Sequence, residues 1–281
     1  MKNKTLVGVY LAMYLLGFGA KLCLGQEGAT QPEPPKFIHI IQDVVKEGSW
    51  DAYHDLQVER AKALFAANWP RVSIALKTIT GPDLEVLHMS FFNSFEERAN
   101  DKKEMGKNPA LSAKLKELTQ KESLLLQSRR EIDVHYQPKI SYQGNFNWAD
   151  MRFMSIINIH LKPGHGSEYL QNRDIVMKAH SDAKLPENLA IYTVFSGALS
   201  STYLIMRPVT SLKGFDETEA MHGDAYGAIL GDENRKKVHD LFAASVETEE
   251  EDYFGFDHLL SYTTPAWAGS NSDYWKPTAQ K

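Results

Sequence analysis

Two amides and one imidazole carry the most suggestive chemistry in this chain of 281 residues. Gln42 and Asn158 lie 116 positions apart, at equivalent places in two apolar runs, FIHIIQDVV and FMSIINIHL. His160 follows two residues after Asn158, so strand alternation puts it on the same face, where the first run has Val44. Amides orient a carbonyl or hydroxyl ligand, and an imidazole near its ordinary pKa moves protons at neutral pH. The plainer reading is that Gln42 and Asn158 close strand ends and hydrogen-bond locally. His180 stands on a helix face four residues after Val176, beside Ser181 and Asp182, a setting that suggests the wet edge of the helix. His222-Gly223-Asp224 marks a break in a later helical region. There Gly223 would let the backbone approach a ligand and Asp224 would polarise His222, or Asp224 simply caps a helix after a glycine kink.

Other chemistries drop out by pattern. The chain has no G-x-x-x-x-G-K-[ST], G-x-G-x-x-G, H-E-x-x-H or G-x-S-x-G sequence, which removes the common nucleotide loops, zinc hydrolases and nucleophile elbows. Its single cysteine, Cys23, falls in an N-terminal segment with the marks of a secretory signal: Lys2 and Lys4, the apolar stretch 6–18, and small residues Cys23 and Gly25 before Gln26. Cleavage there predicts a secreted or periplasmic protein without cysteine, hence without disulfides or thiolate metal sites. The apolar stretch is short for a membrane anchor, and Leu22 before Cys23 argues against lipidation. Cleavage also removes three lysines and no acid, taking the formal charge from −5 to −8. So acidic a chain, without a basic stripe, is not expected to bind nucleic acid. The acidic run 247–252 reads as a solvated turn between helix and strand, and no metal site is expected.

These residues are positioned by an internal duplication. Lys46, Tyr53, Pro70 and Gly81 recur as Lys162, Tyr169, Pro186 and Gly197 at one spacing of 116, while Ser141-Tyr142 recurs as Ser261-Tyr262 at 120. A period this long means duplicated domains. The reading divides the chain into a signal at 1–25, a proline-rich linker at 26–36, a first unit at 37–145, a second at 151–264 and an aromatic tail at 265–281. Periodicity predicts strands over 37–45, 72–80, 85–92 and 132–142 and helices over 50–67 and 95–127. The second unit repeats them, with strands over 152–161, 189–196, 202–207 and 253–263 and helices over 168–184 and 212–246. The order β-α-β-β-α-β is that of the ferredoxin-like unit. The fold class is therefore α+β: two such units in tandem, helices on one face of each sheet, the sheets packed face to face. Phe146 and Trp148 after the first unit, and Trp267, Tyr274 and Trp275 after the second, would clasp the two halves together.

The tandem unit resembles the dimeric α/β-barrel superfamily, fused within one chain over about 37–264. The long second helix and Met221-His222-Gly223, followed by Ala225-Tyr226, are similar to NIPSNAP-like proteins. The resemblance implies a pseudo-dimeric barrel needing no second copy, and it leaves the reaction open, because the superfamily spans cofactor-free monooxygenases, haem enzymes and members without known chemistry. An asparagine on the first strand is what its monooxygenase-like members use, and a helix histidine such as His180 is what its haem enzymes use to ligate iron. Three functions follow as expectations. The first is binding of a small, mostly apolar molecule between the sheets by Gln42, Asn158 and His160, with no cofactor. The second is cofactor-free or haem-linked catalysis in the same cavity. The third is an interaction protein whose barrel is filled by side chains.

Overall fold

On β1 (Phe37–Val45), Ile38 and Ile40 point one way and Asp43 and Val45 the other, and all four are buried. A strand buried on both faces needs a layer on each side. The computed structural model, which describes residues 34–82, 84–143, 146–221 and 227–276, supplies both. One layer is the interior of a closed barrel and the other is a set of helices. The leader at 1–25 with Cys23, most of the linker, and His222 and Asp224 lie outside the described residues.

After β1 come α1 (Trp50–Ala66), β2 (Ser73–Thr80), β3 (Glu85–Phe92), α2 (Phe95–Gly106), α3 (Pro109–Ser123) and β4 (Leu126–Tyr136). The second half runs β5 (Phe153–Leu161), α4 (Gly166–Ala183), β6 (Ala190–Ser196), β7 (Thr202–Val209), α5 (Lys213–Met221), α6 (Gly227–Ser245) and β8 (Val246–Tyr262). Eight antiparallel strands close in the order β1-β3-β2-β8-β5-β7-β6-β4. The sheets of the two halves therefore do more than face one another. Ladders β2–β8 and β4–β6 join them edge to edge, which leaves no open side.

Several element boundaries depart from the sequence reading, and the strand expected over 132–142 ends at Tyr136, where a short 3-10 turn at Pro138–Ile140 follows. The expected helix over 95–127 is two helices, because Asn108 caps a new start: its Oδ1 accepts from the Leu111 N–H at 3.1 Å and Pro109 takes the first helical position. Residues 126–131 then belong to β4. Likewise the acidic run 247–252 is strand, not turn, and pairs with β5 from Thr248 onward, with a register shift at Glu247. Both stretches extend past the ladders that join the halves, so most of their outer edges meet water, and a charged sequence there is compatible with a strand.

The barrel interior is packed rather than hollow. Ile38, Ile40, Leu76 and Met89 meet Met154, Ile156, Tyr192 and Met206 across it. The two aromatic arms enter the same cluster. Trp148 lies 4.9 Å from both Phe91 and Phe146, ring centre to centre, and Trp275 Nε1 donates to the Ala149 carbonyl at 2.9 Å. What remains is a pocket of about 210 Å³ at the end of the barrel where Gln42 and Asn158 stand.

Candidate functional site

Gln42 and Asn158 do come together. Both line that pocket, above a floor that includes Ile40, Ile156 and Phe254, with Glu85, Arg130, Glu250 and Asp252 around them. Gln42 is also engaged locally, its Nε2 donating to Glu85 Oε1 at 2.8 Å. Burial raises the Glu85 carboxyl above the ordinary range. His160 shares the strand face but not the pocket lining. Its Nδ1 sits 3.1 Å from Thr202 Oγ1 and its Nε2 3.5 Å from Glu247.

His180 departs from the expectation of a wet helix edge, for it is 3 % exposed. Its Nδ1 lies 2.8 Å from the Val176 carbonyl, which can only accept, and its Nε2 lies 2.6 Å from Glu187 Oε1. Ser181 and Asp182 face outward from the same turn, and the segment 185–189 folds back over the ring side. An imidazole with both nitrogens so engaged has no lone pair for an iron, so His180 does not fit the haem role. His222 and Asp224 lie outside the described residues.

The richer constellation lies on the other face of the first sheet, between β1, β3 and β4 and the helices α1, α2 and α3. Asp43 is fully buried and accepts from Arg129 Nε at 2.6 Å, from Arg129 Nη2 at 2.7 Å and from the Tyr53 hydroxyl at 2.9 Å. Tyr53 Oη lies 2.8 Å from His88 Nε2. Glu122 on α3, 1 % exposed, accepts from Gln57, from Arg60 Nη2 at 2.9 Å and from Arg129 Nη2 at 2.9 Å. Burial first, and Asp43 second, lift the Tyr53 hydroxyl far above its ordinary pKa, while burial lowers His88 below that of free imidazole.

This network walls a cavity of about 360 Å³. Ile41, Leu64, Trp69, Phe92, Met105 and Leu115 give it apolar sides, and His88, Arg129, Glu122, Gln57 and Arg60 form a polar end. Arg71 stands opposite, paired with Glu97 and, at 3.1 Å, with Asp101, whose carboxyl burial holds up. The size is that of a small-molecule site, and the lining is mixed: an apolar wall with polar and charged groups, Glu131 and Thr119 among them, around it, some with displaced pKa values.

The second half keeps the architecture but not the Asp43–Tyr53–His88 chain. Strand register puts Ile159 where Asp43 stands and Ile205 where His88 stands. Tyr169 matches Tyr53. The surrounding cluster is Ile140, Ile159, Leu161, Leu189, Ile191 and Ile205, with Phe242 packed against it. The Tyr169 hydroxyl is buried without a hydrogen-bond partner among the described residues, and burial pushes its pKa up to about 12.

Sequence reasoning missed Asp43, Tyr53, His88, Glu122 and Arg129 as a group. A signal was available: Asp43 interrupts the apolar run of β1 on the face opposite Gln42, and a buried carboxylate demands a partner.

No family model and no curated protein matches the chain. Solved structures do. A proposed monooxygenase from Fusobacterium nucleatum subsp. nucleatum superposes with a TM-score of 0.52 at 10% identity, covering 79% of this chain and 93% of that one. An anthrone oxidase-like protein gives 0.52 at 13% identity, covering 87% and 96%. A chlorite dismutase mutant from Candidatus Nitrospira defluvii covers 83% and 96% at 11% identity, with a looser TM-score of 0.48. At such identities the likeness speaks for the fold alone. The chain is an eight-stranded antiparallel barrel with outer helices, of the dimeric α/β-barrel kind.

Proposed function

We propose that this protein binds a small, mostly apolar molecule in the cavity between sheet and helices of its first half. The observation that carries the reading is the buried Asp43–Tyr53–His88 chain ending in the wall of a 360 Å³ apolar cavity. The site thus moves from inside the barrel, where side chains fill most of the space, to the outer face of one sheet. The expected trio of Gln42, Asn158 and His160 becomes a secondary candidate. A second reading is cofactor-free catalysis on the bound molecule, and the presence of the imidazole on the wall favours it. We further propose that the two halves are copies of one ferredoxin-like unit, nearest in kind to NIPSNAP-like proteins, and that the mature chain starts near Gln26 outside the cytoplasm. Among the described residues no helix is long and apolar enough to cross a membrane. Titrating indene, an uncharged bicyclic hydrocarbon, into protein with labelled methionine methyls tests the site. The Met105 methyl on the cavity wall should shift and saturate, with Met177 of the second half unmoved. Shifts at Met177 alone, or at neither, would contradict it.

A further inference from the structure

Hydrogen-bond accounting in the network settles where the protons sit. Asp43 takes two N–H bonds from Arg129, so its carboxylate is held as an acceptor. The Tyr53 hydroxyl has one proton and spends it on Asp43, hence towards His88 it can only accept. His88 Nε2 must then carry the proton that donates to Tyr53. The other nitrogen, Nδ1, has no partner among the described residues and belongs to a ring that lines the cavity. The charges acting on this ring are Asp43 on β1, Arg60 on α1, Glu122 on α3 and Arg129 on β4, and Arg71, Asp101 on α2 and Glu131 on β4 line the same cavity. The guanidiniums are each opposite a carboxylate already, as is Arg71 across the cavity.

We infer that Asp43 and Tyr53 are positioning residues that fix the His88 ring with Nδ1 turned to the cavity as a proton acceptor, and that the ligand is an uncharged apolar molecule bearing one O–H or N–H donor. The inference rests on the reading of this cavity as a ligand site and names what that site selects. A carboxylate ligand would meet no unmatched cation and would have to break a buried pair, whereas a plain hydrocarbon would leave Nδ1 without a bond. The burial that lowers the His88 pKa acts in the same direction, keeping the acceptor uncharged at neutral pH.

The test uses the full chain with 15N-labelled histidine and three probes of one shape: indole with an N–H, indene without one, and indole-3-carboxylate with a charge. In the free protein the ring nitrogens of His88 should report the Nε2–H tautomer. Indole should bind about tenfold more tightly than indene, the worth of one hydrogen bond, and should shift Nδ1. The carboxylate should bind more weakly than either. Replacing Tyr53→Phe should mix the tautomers and shrink the advantage of indole, an effect that lost packing alone would not produce. An Nδ1–H tautomer in the free protein, or equal affinity for indole and indene, would overturn the inference. The expected tautomer with no probe moving the ring would overturn the ligand class and the cavity reading together, while supporting the positioning of His88.

Discussion

The two tyrosines at the start of the first helix in each half, Tyr53 and Tyr169, occupy matching places and are both fully buried, yet they live in different chemistry. Around Tyr53 stand Asp43 and His88; around Tyr169 the same positions hold Ile159 and Ile205. The strand ladders of the two halves share one register, since a slip of one residue would turn every side chain to the wrong face. The chemistry between sheet and helices is freer to diverge. Asp43, His88 and Glu122 give way to Ile159, Ile205 and, at a spacing of 120, Phe242. Arg129 is matched in register by Glu249 and Gln57 by Arg173, so charge persists near Tyr169 but the bonded network does not.

The sharpest way to break this comparison is to remove the buried charge. Asp43→Asn leaves two guanidiniums, Arg60 and Arg129, to share the one buried carboxylate of Glu122 and should cost about 3–5 kcal/mol. Ile159→Val at the matching place should cost only about 0.5–1.5 kcal/mol. Urea midpoints at constant m-value measure both. Similar losses at the two positions would mean the halves are energetically alike.

The glycines at the two seams come next. At Gly197, φ +86°, an added Cβ would stand 1.8 Å from the backbone carbonyl oxygen of Glu131. At Gly81, φ +116°, it would stand 2.2 Å from the Asp252 side chain, which can rotate away. Gly197→Ala should therefore lower the melting temperature more than Gly81→Ala, each strained backbone alone being worth about 1–3 kcal/mol. The reverse order would show that the β4–β6 seam yields more easily than its geometry implies.

The tyrosines themselves give a smaller, signed difference. Tyr53→Phe strands Nε2 of His88 and one acceptor of Asp43 and should destabilise by about 1–3 kcal/mol. Tyr169→Phe removes a buried hydroxyl without a protein partner, and should leave stability unchanged or raise it by about 1 kcal/mol.

The smallest effect is in pH. Burial lowers the folded pKa of His88 below its unfolded value, so between the two the unfolded chain binds more protons. Stability from this group is thus complete above the unfolded pKa of about 6.5 and is lost as pH falls towards the folded one, by about 1.4 kcal/mol for each unit of difference. Carboxyls raised by burial, Glu85, Asp101, Glu249 and Asp252, oppose it at lower pH, since their folded forms bind more protons. The contribution of His88 is accordingly the difference between wild type and His88→Gln from pH 7 to 5, with the wild type losing more.

Much of the barrel is legible in the sequence because its constraints are periodic. Tyr53 and Tyr169, and Gly81 and Gly197, repeat at one spacing, and the aromatic arms at 146–148 and 267–275 follow each half. Charged edges are not periodic. Strand β8 carries five acids between 247 and 252 because its outer edge is wet there, and composition alone cannot separate that from a turn. His180 looks wet for a related reason: its sequence neighbours are polar, while the residues that bury it arrive from 185–189. The site was hardest to see. Gln42 and Asp43 are adjacent but face opposite layers, Gln42 the pocket at the barrel end and Asp43 the network under the helices, and residue spacing alone does not show what each layer brings to them.

The central claim is that, among the described residues, a ligand-sized cavity lies beside the buried polar network of the first half, while the matching place in the second half is filled by side chains. Xenon, an apolar probe that enters such spaces without making hydrogen bonds, tests it directly in crystals under pressure. The account predicts xenon between sheet and helices of the first half, against Trp69, Phe92 and Leu115, and none among Ile159, Ile191 and Ile205 of the second. Xenon among those isoleucines, or only in the barrel end beside Gln42 and Asn158, would contradict it.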